Sequence, residues 1–331
     1  MRWMTALLCC LLLTILSLTA CSMKPTLPRN MELKAFDPHR KEFSCMYEAE
    51  FVPPIDPQAE RWYQEAEALR DPNIWDEDKN WPRIMELYQK AAERKHWKAM
   101  IDLATVYQDG IWDDDTPIID RNPPAAMKLT EDAMRLGIPL AWAVMGNYYN
   151  HGFMVPPNPT AAWAFWQKAA DMGSPYAQTL IGKSLLTSED QPERLLWANE
   201  QISLQMLECA FSQGDGNAAE ELGLQYEVIL ENKAKALHYY HEGVKMGNAN
   251  CANALFVGFS HVGEDGIIPG AGIDAARSER YDLIGDALKF NPAIRLPNLD
   301  KVLPLPPAKL PVWNGKKDDL INAAKGVEIG I

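Results

Sequence analysis

Residues 139–174, PLAWAVMGNYYNHGFMVPPNPTAAWAFWQKAADMGS, decide the fold. Ala141, Met145, Gly146 and Tyr149 fall at helical spacing, and Gly152 ends that helix. Asn158 followed by Pro159 opens a second one, pairing an N-cap side chain with Pro at the first helical position. Ala162, Trp166 and Ala169 keep one face of it inward, and Gly173 closes it as a left-handed C-terminal cap. The stretch is a hairpin of two helices, A and B.

The same signposts return along the chain. Ala141 has counterparts at Ala99, Ala177, Ala218 and Cys251, and Tyr149 at Tyr107, Leu185, Tyr226 and Phe259. On helix B, Ala162, Ala169 and Gly173 are matched by Ala126, Ala133 and Gly137, by Ser203, Ala210 and Gly214, and by Ala236, Gly243 and Gly247. Each closing Gly stands four residues before the signpost Ala (or Cys) of the next helix A, while the step from that signpost to its helix-B counterpart is 27, 21, 26 or 18 residues. A fixed turn between repeats and a tolerant loop inside each is what stacking requires.

These residues resemble the SEL-one-like repeat, a relative of the tetratricopeptide repeat with small residues where A and B touch. The resemblance covers roughly 57–291, in copies at 57–96, 97–138, 139–174, 175–215, 216–248 and 249–291. The first copy is degenerate, with Lys95 where Gly is expected. The fold it implies is all-α: a right-handed superhelical solenoid of about six antiparallel helix pairs, tetratricopeptide-like.

Upstream, Arg2 precedes the apolar run ALLCCLLLTILSLTA, which ends at Cys21. Leu18-Thr19-Ala20-Cys21 matches a bacterial lipoprotein cleavage box, so 1–20 reads as a signal peptide and Cys21 as the lipid attachment site. Ser22 in second place implies sorting to the outer membrane, facing the periplasm. Residues 21–56 contain five prolines and no sustained periodicity, and read as a tether. An apolar patch within it (Phe43, Met46, Tyr47, Phe51) is expected to dock on the first repeat. The mature chain keeps Cys45, Cys209 and Cys251 besides the lipidated one. Their odd count and scatter do not read as a disulfide framework; Cys251 suits a small buried hydrophobe, and a link from Cys45 to either of the others stays open.

Removal of Arg2 leaves 31 basic against 45 acidic residues, a net charge of −14. That balance disfavours nucleic acid and favours a basic protein partner. The insertion at 108–122 carries Asp113, Asp114, Asp115 and Asp120, but Gly110 precedes the cluster and no Glu follows at the twelfth position, so it reads as a solvated acidic loop. Trp112 beside it is a candidate contact residue. His238 and His241 complete no zinc set, and no nucleophile elbow or phosphate-binding loop is present. The reading is of a chain with no metal, no cofactor and no enzymatic activity.

After Phe290 the chain turns proline-rich, NPAIRLPNLDKVLPLPPAKLPVWNG, and predicts an extended cap over 292–331 that covers the end of the solenoid with Leu and Val side chains. A docking strip for a partner is the alternative. With LPLPPAKLPVW at its centre, this tail resembles an uncharacterised C-terminal domain found on some proteobacterial repeat lipoproteins. These in turn resemble periplasmic immunity proteins that neutralise type VI secretion lipase effectors. The resemblance implies a lipid-anchored, protein-binding solenoid whose partner is a lipase-type toxin. An envelope adaptor is the second reading. A penicillin-binding or hydrolysing repeat protein is the third, weakened because those relatives carry a cysteine pair in each hairpin. The candidate partner-binding residues are the helix-A positions left over from packing: Asp102, Thr105, Trp142, Asn147, Tyr148, Lys183, Glu221 and Gln225, together with Trp112.

Overall fold

A computed structural model describes residues 27–186, 197–260 and 273–326; the lipoprotein box and Cys21 lie outside them. The chain divides into two units, Met1–Glu32 and Leu33–Ile331. Within the first, a 3-10 turn spans Pro28–Asn30; the arm, the repeats and the tail belong to the second.

Six antiparallel pairs of helices follow one another: α1 (Pro57–Leu69) with α2 (Trp81–Glu93), α3 (Trp97–Asp109) with α4 (Pro123–Arg135), α5 (Pro139–His151) with α6 (Pro159–Asp171), α7 (Pro175–Ser184) with α8 (Glu200–Ser212), α9 (Gly216–Leu224) with α10 (Lys233–Lys245), and α11 (Ala249–Ser260) with α12 (Ala275–Phe290). Odd-numbered helices are A, even-numbered are B. A two-stranded hairpin, β1 (Ile111–Asp113) and β2 (Thr116–Ile119), interrupts the loop of the second pair.

The B-to-A turns are alike because the same two backbone bonds close each of them. The N–H of Gly173 reaches the Ala170 carbonyl and that of Ser174 the Ala169 carbonyl, both at 3.0 Å. This double bond repeats after α4, α8 and α10, and it needs a left-handed residue at the pivot. Gly137, Gly173, Gly214 and Gly247 supply it, with φ between 80° and 93°. At the degenerate first turn Lys95 adopts φ 63° itself.

The A-to-B loops differ in length yet end in one common bond. The N–H of the residue capping each B helix donates to the carbonyl of the last helix-A signpost: Asn122 to Tyr107 (2.7 Å), Asn158 to Tyr149 (2.8 Å), Asn199 to Leu185 (3.0 Å), Asn232 to Tyr226 (2.7 Å) and Asp274 to Phe259 (3.0 Å). Those signposts recur because the backbone there anchors the next helix. Small residues set the A–B approach: a Cβ on Gly146 would lie 2.5 Å from the Trp166 ring, and one on Gly223 2.5 Å from the Tyr240 ring.

Residues 33–56 are not the free tether their prolines predict. Leu33, Phe36, Phe43, Phe51 and Val52 pack against the central core, and Phe36 stacks on Trp163 at 4.8 Å and meets Trp197 edge-on at 5.4 Å. The arm has no ladder of its own, so B-helix side chains satisfy its backbone. Asp37 N–H donates to Gln167 Oε1 (2.9 Å), Asn199 Nδ2 donates to the Pro38 (2.9 Å) and Arg40 (3.0 Å) carbonyls, and Glu48 N–H donates to Gln213 Oε1 (2.8 Å). Cys45 and Cys209 form a disulfide across a Cα separation of 5.6 Å, closing a span of 164 residues. The apolar patch therefore docks on the third and fourth pairs, not on the first. Cys251 is a buried free thiol whose pKa burial pushes well up.

The proline-rich tail folds over the last pair. Leu296, Leu299, Leu303, Leu320, Ile321 and Ala324 are buried with Leu255, Tyr281 and Leu288. It is less extended than its prolines suggest, because Leu299–Val302 (α13) and Lys317–Lys325 (α14) are helical. The buried Arg280 holds it down, donating to the Val302 (2.5 Å) and Pro311 (2.7 Å) carbonyls. Buried His241 links Tyr281 Oη and Asp300, each at 2.7 Å, and so ties α10 and α12 to the tail.

Candidate functional site

Successive A helices touch one another (α5 with α7, α7 with α9, α9 with α11) more closely than successive B helices do, so the A helices line the inner side of the curve. The arm lies on the B helices α6 and α8. It also reaches the first turns of the A helices α5 and α7, where the Leu140 N–H donates to Glu48 Oε1 and Gln178 Nε2 donates to the Met46 carbonyl, both at 3.1 Å.

Each A helix after α1 is packed on two flanks, by its own B helix and by the preceding one, so only a narrow stripe meets solvent. Trp142 and Tyr148, chosen from the sequence as aromatic anchors, fall on the packed flanks. Trp142 is 6% exposed, tilted against Phe165 with Lys168 over its ring, and Tyr148 is 2% exposed with its hydroxyl 3.1 Å from Thr130. Neither offers a face to a partner, because in a stacked hairpin large side chains flanking the contact stripe are the inter-helix packing itself. Gln225 is also buried, its amide 3.5 Å from Glu200.

The other candidates reach the stripe. Asn147 is half-buried and accepts the Trp166 indole N–H at 3.0 Å, with Tyr176 Oη close by at 3.4 Å. Thr105 is exposed, its hydroxyl returned to the Ile101 carbonyl at 3.0 Å. The exposed Lys183 pairs with the buried Glu221 carboxylate, bridging α7 and α9. Trp112 is exposed on the hairpin. Sequence reasoning missed Tyr176, Leu224 and Val257, which share this stripe and are 42%, 50% and 43% exposed. Their spacing from the packed Ala177, Leu222 and Leu255 was the available signal.

Asp102 belongs to a polar network also missed, because it rests on the degenerate first pair. Tyr63 Oη donates to Asp102 at 3.0 Å, Tyr88 Oη donates to Glu67, and Arg70 donates to Tyr88 Oη at 2.8 Å. Burial, and then the neighbouring Glu67 charge, hold the Asp102 carboxyl above its ordinary value. Among the described residues no group of three or more His, Cys, Asp or Glu is placed to hold a metal, and no helix is long and apolar enough to cross a membrane.

With this geometry established, comparison places the chain. The Sel1 repeat profile matches 85–96, 97–137, 141–174 and 217–248, and a domain of unknown function (DUF6396) matches 252–323, which takes in most of the last helix pair and of the tail. No curated protein matches the chain. Among solved structures, immunity protein Pa5087 from Pseudomonas aeruginosa is 33% identical with a TM-score of 0.64, the match spanning 80% of this chain and 95% of that one. Pseudomonas aeruginosa PA5086 is 33% identical (TM-score 0.64; 81% and 96% covered), and immunity protein PA5088 of the same organism is 31% identical (0.65; 81% and 95%). Identity above 30% across nearly the whole of these structures means that the chain belongs to the family of Sel1-repeat proteins that includes Pa5087, PA5086 and PA5088.

Proposed function

We propose that the protein is a lipid-anchored immunity protein that faces the periplasm from the outer membrane and neutralises a cognate type VI secretion effector of the lipase class by binding it. The observation that carries the reading is the likeness to two proteins described as immunity proteins, over 95% of their length and at 31–33% identity. The fold supports binding over catalysis, since a solenoid offers a continuous inner surface. The Cys45–Cys209 disulfide supports an oxidising compartment, in line with Cys21 as the lipid-bearing residue. The mature net charge of −14 suits a basic partner and would speed encounter at low salt.

The test is periplasmic expression of the lipase effector encoded beside this gene, with and without the protein. Growth should be arrested by the effector alone and restored when both are present. If no effector gene adjoins, or if cells die equally in both cultures, the immunity reading fails and an envelope adaptor takes its place. Cys21→Ser should abolish palmitate labelling and outer-membrane fractionation; labelling that persists in this variant would exclude Cys21 as the anchor.

A further inference from the structure

The A-to-B loops of the first two pairs carry one pattern twice: Ile74-Trp75-Asp76-Glu77-Asp78 and Ile111-Trp112-Asp113-Asp114-Asp115. In a solenoid all such loops emerge on the same edge. Here β1 lies directly against the 3-10 turn Asp76–Asp78, so the two copies form one surface. Its exposed apolar content is a pair of indoles, Trp75 76% and Trp112 43% exposed, with Ile74 beside the first at 42%.

Both loops are built rather than loose. Trp112 Nε1 donates to the Asp109 carbonyl at 2.8 Å, and the Arg121 guanidinium lies 5.7 Å from its ring centre. Gly110, at φ 70°, leaves room for that indole; a Cβ there would sit 2.8 Å from Trp112 Nε1. In the other copy the buried Trp81 indole donates to the Asp76 carbonyl at 2.9 Å and fixes the turn that follows Trp75. Lys79 neutralises Asp76 at 2.7 Å. Among the described residues Glu77, Asp78, Asp113, Asp114 and Asp115 make no ion pair. Solvation alone accounts for carboxylates on a loop. It does not account for two exposed tryptophans at the same place in consecutive repeats.

We propose that this paired Ile-Trp-acid surface docks a basic, Arg- or Lys-bearing segment of the protein partner. The exposed indole faces take cationic side chains, and the flanking carboxylates pair with them and exclude acidic competitors. The assignment rests on the partner-binding reading above and names where and by what chemistry that partner is held. The indoles carry it; the charge identifies the segment.

Two probes separate this assignment from the reading beneath it. The first is a short synthetic peptide of alternating Arg and Gly, titrated into the mature chain with nitrogen-labelled tryptophans. The Trp75 and Trp112 indole signals, assigned from the single alanine variants, should shift first and saturably. Raising salt from about 50 to about 300 mM should weaken binding roughly tenfold or more. The Trp75→Ala/Trp112→Ala double variant should lose it, and Met154→Ala, on the next loop, should not. Equal shifts at other indoles, or unchanged binding by the double variant, would overturn the assignment. So would saturation of the same signals by calcium chloride in place of the peptide, or a concentration-dependent dimer that the double variant lacks.

The second probe is the neighbouring effector. The double variant should bind it roughly 100-fold more weakly, as loss of two aromatic anchors does elsewhere. Affinity within about twofold of wild type would overturn the assignment while leaving the immunity reading intact. A wild-type chain that ignores the effector sinks the immunity reading, and the peptide titration then decides the surface alone.

Discussion

At Lys95 the chain turns from α2 into α3 with φ 63°, the conformation that glycine supplies at 137, 173, 214 and 247. A side chain in that region costs about 1 kcal/mol or somewhat more. Lys95→Gly should therefore raise stability by roughly 1 kcal/mol, read as a higher melting temperature. The glycines themselves should differ. A Cβ on Gly214 meets nothing within 4 Å, whereas one on Gly173 would lie 2.6 Å from the Tyr47 carbonyl carbon. Gly214→Ala should show the conformational cost alone, about 1 kcal/mol, and Gly173→Ala should cost more because it also lifts the arm. Equal losses would contradict that contact. Asp102 sets a further test. Its carboxyl is raised by burial, so the folded chain binds this proton more tightly than the unfolded chain does. Stability is then lost as pH rises through the ordinary 3.8 toward the raised value. Asp102→Asn should stabilise at neutral pH, with a gain that vanishes below the ordinary value; a gain that persists in acid would exclude the mechanism.

At the scale of elements, the arm and the tail are strapped by different chemistry. The Cys45–Cys209 bond closes 164 residues, for which the chain-entropy model gives about 5 kcal/mol at most. Cys45→Ser, or reductant, should lower the melting temperature and open residues 33–56 to proteolysis before the repeats are cut; simultaneous cleavage of both would contradict the strap. The tail is tied through His241, which faces Tyr281, Asp300, Lys245 and Glu242. Burial lowers its pKa, so the unfolded chain takes up the proton first as pH falls through the ordinary 6.5. Acidification from that point should weaken the latch, and the hydrogen-exchange protection of α14, taken relative to the intrinsic rate at each pH, should fall below pH 6.5 before that of α5 or α6 does. Asp300, held low by Lys245 and His241 against its burial, adds its own loss only in stronger acid.

Across the whole molecule, what was legible in the sequence is what is local. Glycine pivots, Asn caps and small contact residues act within one turn of themselves, so they could be read and aligned. The arm could not, because its partners Gln167, Asn199 and Gln213 lie 130 to 165 residues away and look like surface polar residues in isolation. The candidate site was half legible. Thr105 and Lys183 are exposed and Asn147 is half-buried, whereas Trp142 is packed on Phe165 of its own B helix and Tyr148 on Thr130 of the preceding one. The central claim is that this solenoid binds and silences one toxin. Its most direct test is calorimetric titration of the mature chain with the purified effector encoded beside it. The account predicts a stoichiometric complex with a dissociation constant of about 1 nM or tighter, accompanied by loss of lipase activity. Micromolar binding, or a tight complex in which the lipase stays fully active, would contradict it.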